Sequence, residues 1–596
     1  MSIVAVRKVT CYGPLAEKDG FLEAVQALGV MHRIPLRVAP EAAEGEGPSA
    51  DTRRAFRFLL GAPRRRRQVH DDRRFDAEAV EQRALAIEER LHALRTERDD
   101  LLQHAEALAP WGDFAFPDPS ELGGYYFWFY VVPHYRLSEL AGLSHPWTVV
   151  RRDQAFSYVV VLAAEEPAGM PVPRAHTGGR RLGQLDARLE HVDAEIEDLE
   201  AERVALTRWL DLFAASLNRL EDRAERRRAA EETLDDEQLF ALRGWVPDEA
   251  VARVREIARE YRFAITVASP GREEKPPTIL ENPPVTAGGE DLVTFYMTPG
   301  YRLWDPSSAV LFSFAAFFAL ILADAGYALV FAGVIALFWR RMGHSGTGRR
   351  LRRVFALLGA TALAWGIAAG SYFGVSPPAG SPADALRLVD PTRADVMMRV
   401  SILIGVGHIL IANGAECVRR WPAQAALAPA GWAVALVGAS ALWLGLDAGH
   451  ATAWQTGGAL MAAGLLAVFL FAAPDASWPH RLLGGLLGLA RVPRAFGDVL
   501  SYLRLFALGL ATASLAATFN ELAGGIARAS PGFGLLGALL VLAVGHGLNF
   551  ALAVVSGFIH GLRLNYIEFF NWGLPGEGLR FRPFAKREKQ HWKPSS

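Results

Sequence analysis

Two kinds of hydrophobic pattern divide this chain near residue 300. In the first half, Leu182, Leu185, Leu189, Val192, Ile196, Leu199, Leu206, Leu210, Phe213, Leu217 and Leu220 follow alternating steps of three and four residues, with Arg203 in the missing slot. That is a heptad seam over 180–232. A weaker seam over 75–108 runs through Val80, Ala84, Ile87, Leu91, Leu94, Leu101, Ala105 and Leu108, with Arg98 in one slot. Two seams in one chain predict an antiparallel coiled-coil hairpin, whose longer arm at about 1.5 Å per residue would reach roughly 80 Å. A homodimeric coiled coil is the alternative.

Around the seams the period changes. Residues 3–11, 15–28 and 30–37 read as strand, helix, strand, and LFALRGWVP (239–247), 249–261 and 262–269 repeat the order. Between the seams, YYFWFYVV (125–132) and SYVVVLAA (157–164) flank a further helix and form a third sheet. The expected soluble half, 1–300, is an α+β domain. One α/β lobe comes from 1–70 plus 236–285 and a distal lobe from 111–175, and the hairpin joins them.

The second half consists of apolar runs long enough for a bilayer, which needs about 20 residues of helix. Candidate spans lie near 307–323, 325–340, 354–375, 397–418, 427–446, 453–473, 497–527 and 535–566. Only Asp324, Ala325 and Gly326 interrupt the first run. Basic loops at 340–353, at Arg419 and Arg420, and at Arg481, Arg491 and Arg494 share one side with the soluble half only if that run is two spans. The expectation is therefore an α-helical membrane domain of eight transmembrane helices over 301–575, both termini cytoplasmic, and a basic tail over 576–596.

Composition adds mainly exclusions. The 63 basic and 64 acidic residues nearly cancel, which gives no argument for nucleic acid. The N-terminus lacks a basic start followed by a long apolar core, so no secretory signal is expected. Cys11 and Cys417 stand alone in each half and make no disulfide framework. The histidines lack metal-ligand spacing, so no metal and no cofactor is expected. GHSGTGRR (343–350) has the glycines of a phosphate loop but Arg349 where lysine belongs and Arg350 where Ser or Thr belongs.

The chemistry gathers in the last two spans. Arg504 sits in SYLRLFALGLATASLAA, and an arginine at mid-membrane costs at least about 2.5–3.5 kcal/mol, so it requires a partner or water. Two partners are open: a carboxylate of this chain, such as Glu568, or one on another chain. His546, Asn549, Ala553, Ser556, His560 and Arg563 share one helical face, all polar except Ala553. That stripe marks a hydrated path or a polar helix contact, and its histidines suit proton relay or helix pairing equally.

ALILADAGYAL around Asp324, GSYFG (370–374), GVGHILI around His408, SYLRLFALGLA around Arg504, and GHGLNFALAVVSGFIHGLRLNYIEFF (545–570) follow one another in order. With GWVP (244–247), they give a chain that resembles the a, or I, subunit family of V/A-type rotary ATPases. The resemblance implies a membrane stator subunit that passes H⁺ or Na⁺ along half-channels against a rotating proteolipid c-ring. In that reading Arg504 faces the ring carboxylate and Arg563 assists it. Half-channel candidates are His408, Ser501, Tyr502, His546, Asn549, Ser556, His560 and Glu568. Implied partners are the c-ring, peripheral stalks of E/G type, and the central stalk and catalytic head that hydrolyse or make ATP, in a prokaryotic cytoplasmic membrane. Where vacuolar members carry histidine eight residues after the arginine this chain has Thr512, and where they carry a glutamate it has Ala553. Rival readings are a secondary transporter, which leaves the hairpin unexplained, and an anchored coiled-coil scaffold, which leaves Arg504 unexplained.

Overall fold

A computed structural model of the chain describes residues 2–37, 47–113, 122–175, 181–389, 393–529 and 532–587. The end of the expected basic tail, 588–596, lies outside the described residues. The soluble half runs through β1 (Val6–Pro14), α1 (Lys18–Leu28), β2 (His32–Arg33), α2 (Ala50–Leu60), α3 (Ala77–Leu108), β3 (Tyr126–Pro133), β4 (Trp147–Arg152) and β5 (Phe156–Ala163). It continues with α4 (Leu182–Leu206), α5 (Leu210–Glu231), β6 (Leu234–Asp236), β7 (Leu239–Pro247), α6 (Val251–Glu260), β8 (Ala264–Ala268), β9 (Pro277–Thr278) and α7 (Ala287–Tyr296). The chain divides into two compact units. One is Met1–Gly13, Val30–Ile34 and Ala241–Pro583; the other is Pro14–Gly29, Pro35–Phe240 and Phe584–Ser596.

The second of these units holds the coiled coil. Asp76 caps α3 by accepting from the amides of Glu78 and Ala79. Leu94, Leu101 and Leu108 of α3 pack with Leu185 and Val192 of α4, and Val80 and Ala84 pack with Leu210, Phe213 and Leu217 of α5, so the pairing is antiparallel. Arg83 pairs with Glu202, Arg90 with Glu195 and Glu97 with Arg188, each at seven-residue steps along both helices. Half-exposed pairs of this kind add little stability, about 0.2–1 kcal/mol each, but they fix register. The two arginines in seam slots leave the seam. Arg98 pairs with Asp193, and Arg203 stacks 4.1 Å over the Phe58 ring and donates to the Phe58 carbonyl.

The continuous helix expected over 180–232 is broken by a 3-10 turn at Thr207–Trp209. Gln68 donates to the Thr207 carbonyl and accepts from the Asp211 amide, while the Thr207 hydroxyl donates to Val204 and accepts from the Arg66 amide. These contacts take over groups that a continuous helix would use for its own ladder. The arm therefore consists of two helices joined by this turn, α4, 25 residues and about 37 Å long, and α5, whose first turns continue the pairing with α3.

In the distal lobe β3 and β5 pair antiparallel along their whole length, and β4 adds an unexpected third strand with a bulge between Val149 and Arg151. The segment expected to be helical is instead a 3-10 stretch, His134–Gly142. The first part of the expected basic tail is docked. Phe584 is 1% exposed, Lys586 pairs with Glu23 on α1, and Arg587 pairs with Glu221 on α5.

The first unit begins with a sheet in the order β2-β7-β1-β8, in which Cys11 faces Ile265 and His32 faces Trp245 across antiparallel pairs. The two strand-helix-strand segments thus share one sheet. Burial pushes the Cys11 thiol up to about 12, so it stays protonated.

The rest of this unit is helical: α8 (Ser307–Leu322), α9 (Ala325–Met342), α10 (Gly346–Ala369), the short α11 (Pro382–Ala385), α12 (Ala394–Arg420), α13 (Leu427–Asp447) and α14 (Ala451–Phe471). Then come α15 (Trp478–Leu489), α16 (Val492–Leu500), α17 (Leu503–Ala529), α18 (Phe533–Arg563), a π-helical turn (Leu564–Phe569), α19 (Phe570–Gly573) and β10 (Leu579–Arg580). Among the described residues seven helical segments are long and apolar enough to cross a membrane. The expected eighth, α8, has 16 residues, about 24 Å, against roughly 30 Å of hydrocarbon.

The chain reverses between α8 and α9. Ala323 takes a left-handed conformation (φ 48°) and the Asp324 side chain caps α9. Both helices then lie along α10: Thr361 bonds to Ala315, Gly359 packs on Phe331, and Gly366 meets Ala325. Asp324, 3% exposed, accepts from the Tyr327, Phe373 and Gly374 amides and the Ser371 hydroxyl. It is a structural carboxylate whose acceptors are occupied.

The expected span at 497–527 is divided at Ser501 and Tyr502 into α16 and α17. α13 and α14 pack through glycines at seven-residue intervals, Gly431, Gly438 and Gly445 on one helix and Gly457 and Gly464 on the other. A Cβ at Gly438 would lie 2.3 Å from the Met461 amide nitrogen. Backbones this close gain dispersion contacts that lipid cannot supply. Gly438→Leu is expected to force the helices apart at a cost of about 3 kcal/mol or more. The check is the yield of monodisperse protein and its thermal unfolding; a wild-type profile would contradict the close-packed seam.

Candidate functional site

α17 and α18 form an antiparallel hairpin: Asn549 donates to the Thr512 carbonyl (2.9 Å), Gly545 accommodates the Phe519 ring, and Gly537 faces Ile526. This pairing brings the start of α17, where Arg504 sits, to the end of α18, where His560 and Arg563 sit. The π turn that follows carries one more residue per turn than an α-helix, and such turns recur at functional sites. Within it Glu568 is buried at 2% exposure, and Asn565 accepts from Ser313 on α8 (2.6 Å).

Arg504 and Arg563 lie within electrostatic reach of each other and of both His560 and Glu568, and Ser501 lies beside Glu568. Two guanidinium groups therefore share the neighbourhood with a single carboxylate of this chain. Nη1 of Arg504, Oε2 of Glu568 and Nδ1 of His560 are all buried and have no hydrogen-bond partner among the described residues. A buried polar atom without a partner costs roughly 1–3 kcal/mol, and more when charged. Among the described residues nothing completes the site, which leaves room for water or an anion.

His408 and Tyr502 form a neighbouring group. The Tyr502 hydroxyl and His408 Nδ1 are 2.8 Å apart, and the imidazole stacks on Phe569 at 4.2 Å with Phe317 edge-on at 5.0 Å. His408 Nε2 has no hydrogen-bond partner among the described residues, and the residue is buried among aromatic rings.

The polar stripe on α18 divides into two clusters. His546 and Asn549 stand apart from the arginines, in a network built on a residue that the stripe does not contain. The Tyr327 hydroxyl lies 2.7 Å from His546 Nδ1 and 3.0 Å from Asn549 Nδ2, and Asn520 bridges His546 to the Phe373 carbonyl. Ser556 is half-buried between the clusters. Ala553 packs in the apolar core with Phe318 and Phe331. Tyr327 and Asn520 escaped the sequence reading because each lies on a different helix. The one local signal was Tyr327 three residues after the break-forming Asp324.

Glu416 is a further buried carboxylate of this unit, 4% exposed, and Arg419 and Arg420 of its own helix pair with it. Among the described residues no cluster of His, Cys, Asp and Glu could hold a metal ion.

Comparison with known proteins gives consistent relatives, although no family model matches the chain. V-type ATP synthase subunit I of Chlamydia pneumoniae is 28% identical over 486 residues, 68% of this chain and 70% of that protein. A-type ATP synthase subunit I of Methanocaldococcus jannaschii is 28% identical over 453 residues, 69% of this chain and 65% of its own length. V-type ATP synthase subunit I 1 of Treponema pallidum is 28% identical over 641 residues, 98% of this chain and 100% of its own.

The Tyr327 hydroxyl is the hub of the upper cluster, so Tyr327→Phe leaves His546 and Asn549 each short of a partner. The expected loss is about 1–2 kcal/mol, seen as a lower thermal unfolding midpoint of the purified protein. An unchanged midpoint would mean that water replaces the hydroxyl at no cost.

Proposed function

Taking as premise that this chain is a relative of subunit I of the V- and A-type ATP synthases, we propose that it is the membrane stator of such a rotary ATPase and forms the ion half-channels. The observation that carries the proposal is the buried, unpartnered Nη1 of Arg504 beside a second arginine. An excess cation inside apolar helices calls for an anion from outside, and a ring of carboxylates that moves past provides one transiently.

In this mechanism an ion enters one half-channel and neutralises a ring carboxylate, which can then face lipid; ionised, it would cost several kcal/mol there. After nearly a full turn the carboxylate meets Arg504, whose charge favours its ionised form and releases the ion to the second half-channel. Arg563 shares the cationic field. His560, Ser556 and Glu568 line the path at the Arg504 end, His546 and Asn549 line it at the other, and His408, Ser501 and Tyr502 stand beside it. The ring, E/G-type peripheral stalks, and the central stalk with its ATP-handling head are the partners. The coiled-coil half holds the channel still, from the cytoplasmic side of a prokaryotic cell membrane.

Arg504→Ala is expected to abolish coupled transport in a complex that still assembles. Arg504→Lys keeps charge but loses the planar fork of donors, so it should be severely impaired. ATP-driven acidification of vesicles, with Na⁺ uptake in parallel and both normalised to assembled complex, gives the answer. Near-normal transport by Arg504→Ala would end the proposal.

The finer topology proposed is eight spans, with α8 counted as a short one because the chain reverses after it. In a chain freed of Cys11 and Cys417, a cysteine at position 381 should react with an impermeant reagent from outside and one at 345 should not. The opposite labelling would overturn the eight-span arrangement.

A further inference from the structure

We propose that the start of α10 and the segment before α7 form a binding site for the phosphate of an anionic phospholipid headgroup. A cavity of about 430 Å³ opens between them, lined by Arg349, Arg350 and Arg353 on one side and by Glu281, Asn282 and Glu290 among others on the opposite side.

The three arginines differ in what they already hold. Arg350 is neutralised by Glu290 (3.4 Å) and Asp291 (3.3 Å). Among the described residues Arg349 reaches only the Gly343 carbonyl (3.3 Å) and Arg353 only the Pro284 carbonyl (2.7 Å). A carbonyl accepts a hydrogen bond but cancels no charge, and each guanidinium has five N–H donors. Two cations without an ion-pair partner among the described residues therefore line the cavity with Glu281, which is itself exposed to solvent. Gly346, in the first turn of α10, also lines it, so the positive end of the helix adds to the field.

Depth selects the source of the phosphate. Arg353 is the last charge before 16 uncharged residues, 354–369, about 24 Å of helix. The cavity is thus at the level where hydrocarbon begins, and a lipid headgroup is held at that level while a dissolved ion is not. Basic pockets beside transmembrane helices on the cytoplasmic side suit such headgroups. The inference needs α10 to span the membrane and is independent of ion passage at Arg504.

The test uses the assembled complex in nanodiscs of phosphatidylcholine with or without phosphatidylglycerol. It measures phospholipid retained after detergent extraction, together with thermal unfolding. Phosphatidylglycerol should be retained selectively and should raise the unfolding midpoint. Arg349→Gln with Arg353→Gln should lower its retention by about tenfold or more, as loss of two basic contacts implies. Arg340→Gln with Arg341→Gln removes the same charge from the same loop outside the cavity and should change neither readout. Should the double variant fail to assemble, Arg349→Gln alone gives up only a carbonyl contact and should still weaken retention. The proposal fails if the cavity variants retain phosphatidylglycerol as the wild type does, or if the Arg340/Arg341 variant loses it equally. It also fails if millimolar inorganic phosphate reproduces the stabilisation, since the ligand would then be the soluble ion.

Discussion

A guanidinium group placed among apolar helices has to find an anion or water, because desolvating it unpaired costs more than most folds have to spare. Several arginines of this protein meet that requirement within the chain, whereas Arg504 leaves a buried Nη1 without a partner among the described residues. Arg203 lays its plane on Phe58, Arg98 reaches Asp193, and Arg419 and Arg420 enclose Glu416. Near the α17–α18 hairpin two arginines share the neighbourhood of one carboxylate, and among the described residues Nη1 of Arg504 has no partner. The surrounding architecture serves to keep this pair in place. The glycine contacts set the hairpin's spacing, the Tyr327 network pins its far end, and the π turn draws Glu568 inward.

The coiled coil follows a different economy. Its apolar seam stabilises the pairing, while the ion pairs at seven-residue steps select one register among those the leucines would accept. Reversal of charge at the third step, where the acid moves to α3 and the base to α4, penalises a slide by one heptad. A seam of leucines alone carries no such preference.

What was legible in the sequence depended on locality. Periodicity identified α3 and α4, the pairing strands β3 and β5, and the apolar runs, because each is written in neighbouring residues. The break at Thr207 was hidden because Gln68 and Arg66, about 140 positions away, impose it. β4 was missed because it is short, follows Pro146 and lies at a sheet edge. The stripe on α18 read as one feature because its spacing is regular, yet Tyr327 from another helix divides it into two clusters. The π turn has no periodic signature at all. Arg504 was visible because a lone charge in an apolar stretch is expensive whatever the fold.

Asp324 shows how a genetic screen of this protein would mislead. It is an acidic residue within the apolar helices, where a carboxylate reads as a functional group by default. Its two oxygens nonetheless take hydrogen bonds from three amides and a hydroxyl, holding the reversal before α9 against the 370–374 loop. A variant that fails at this position reports a misbuilt corner. Only scoring assembly alongside activity separates a residue that acts in function from one that holds the walls in place.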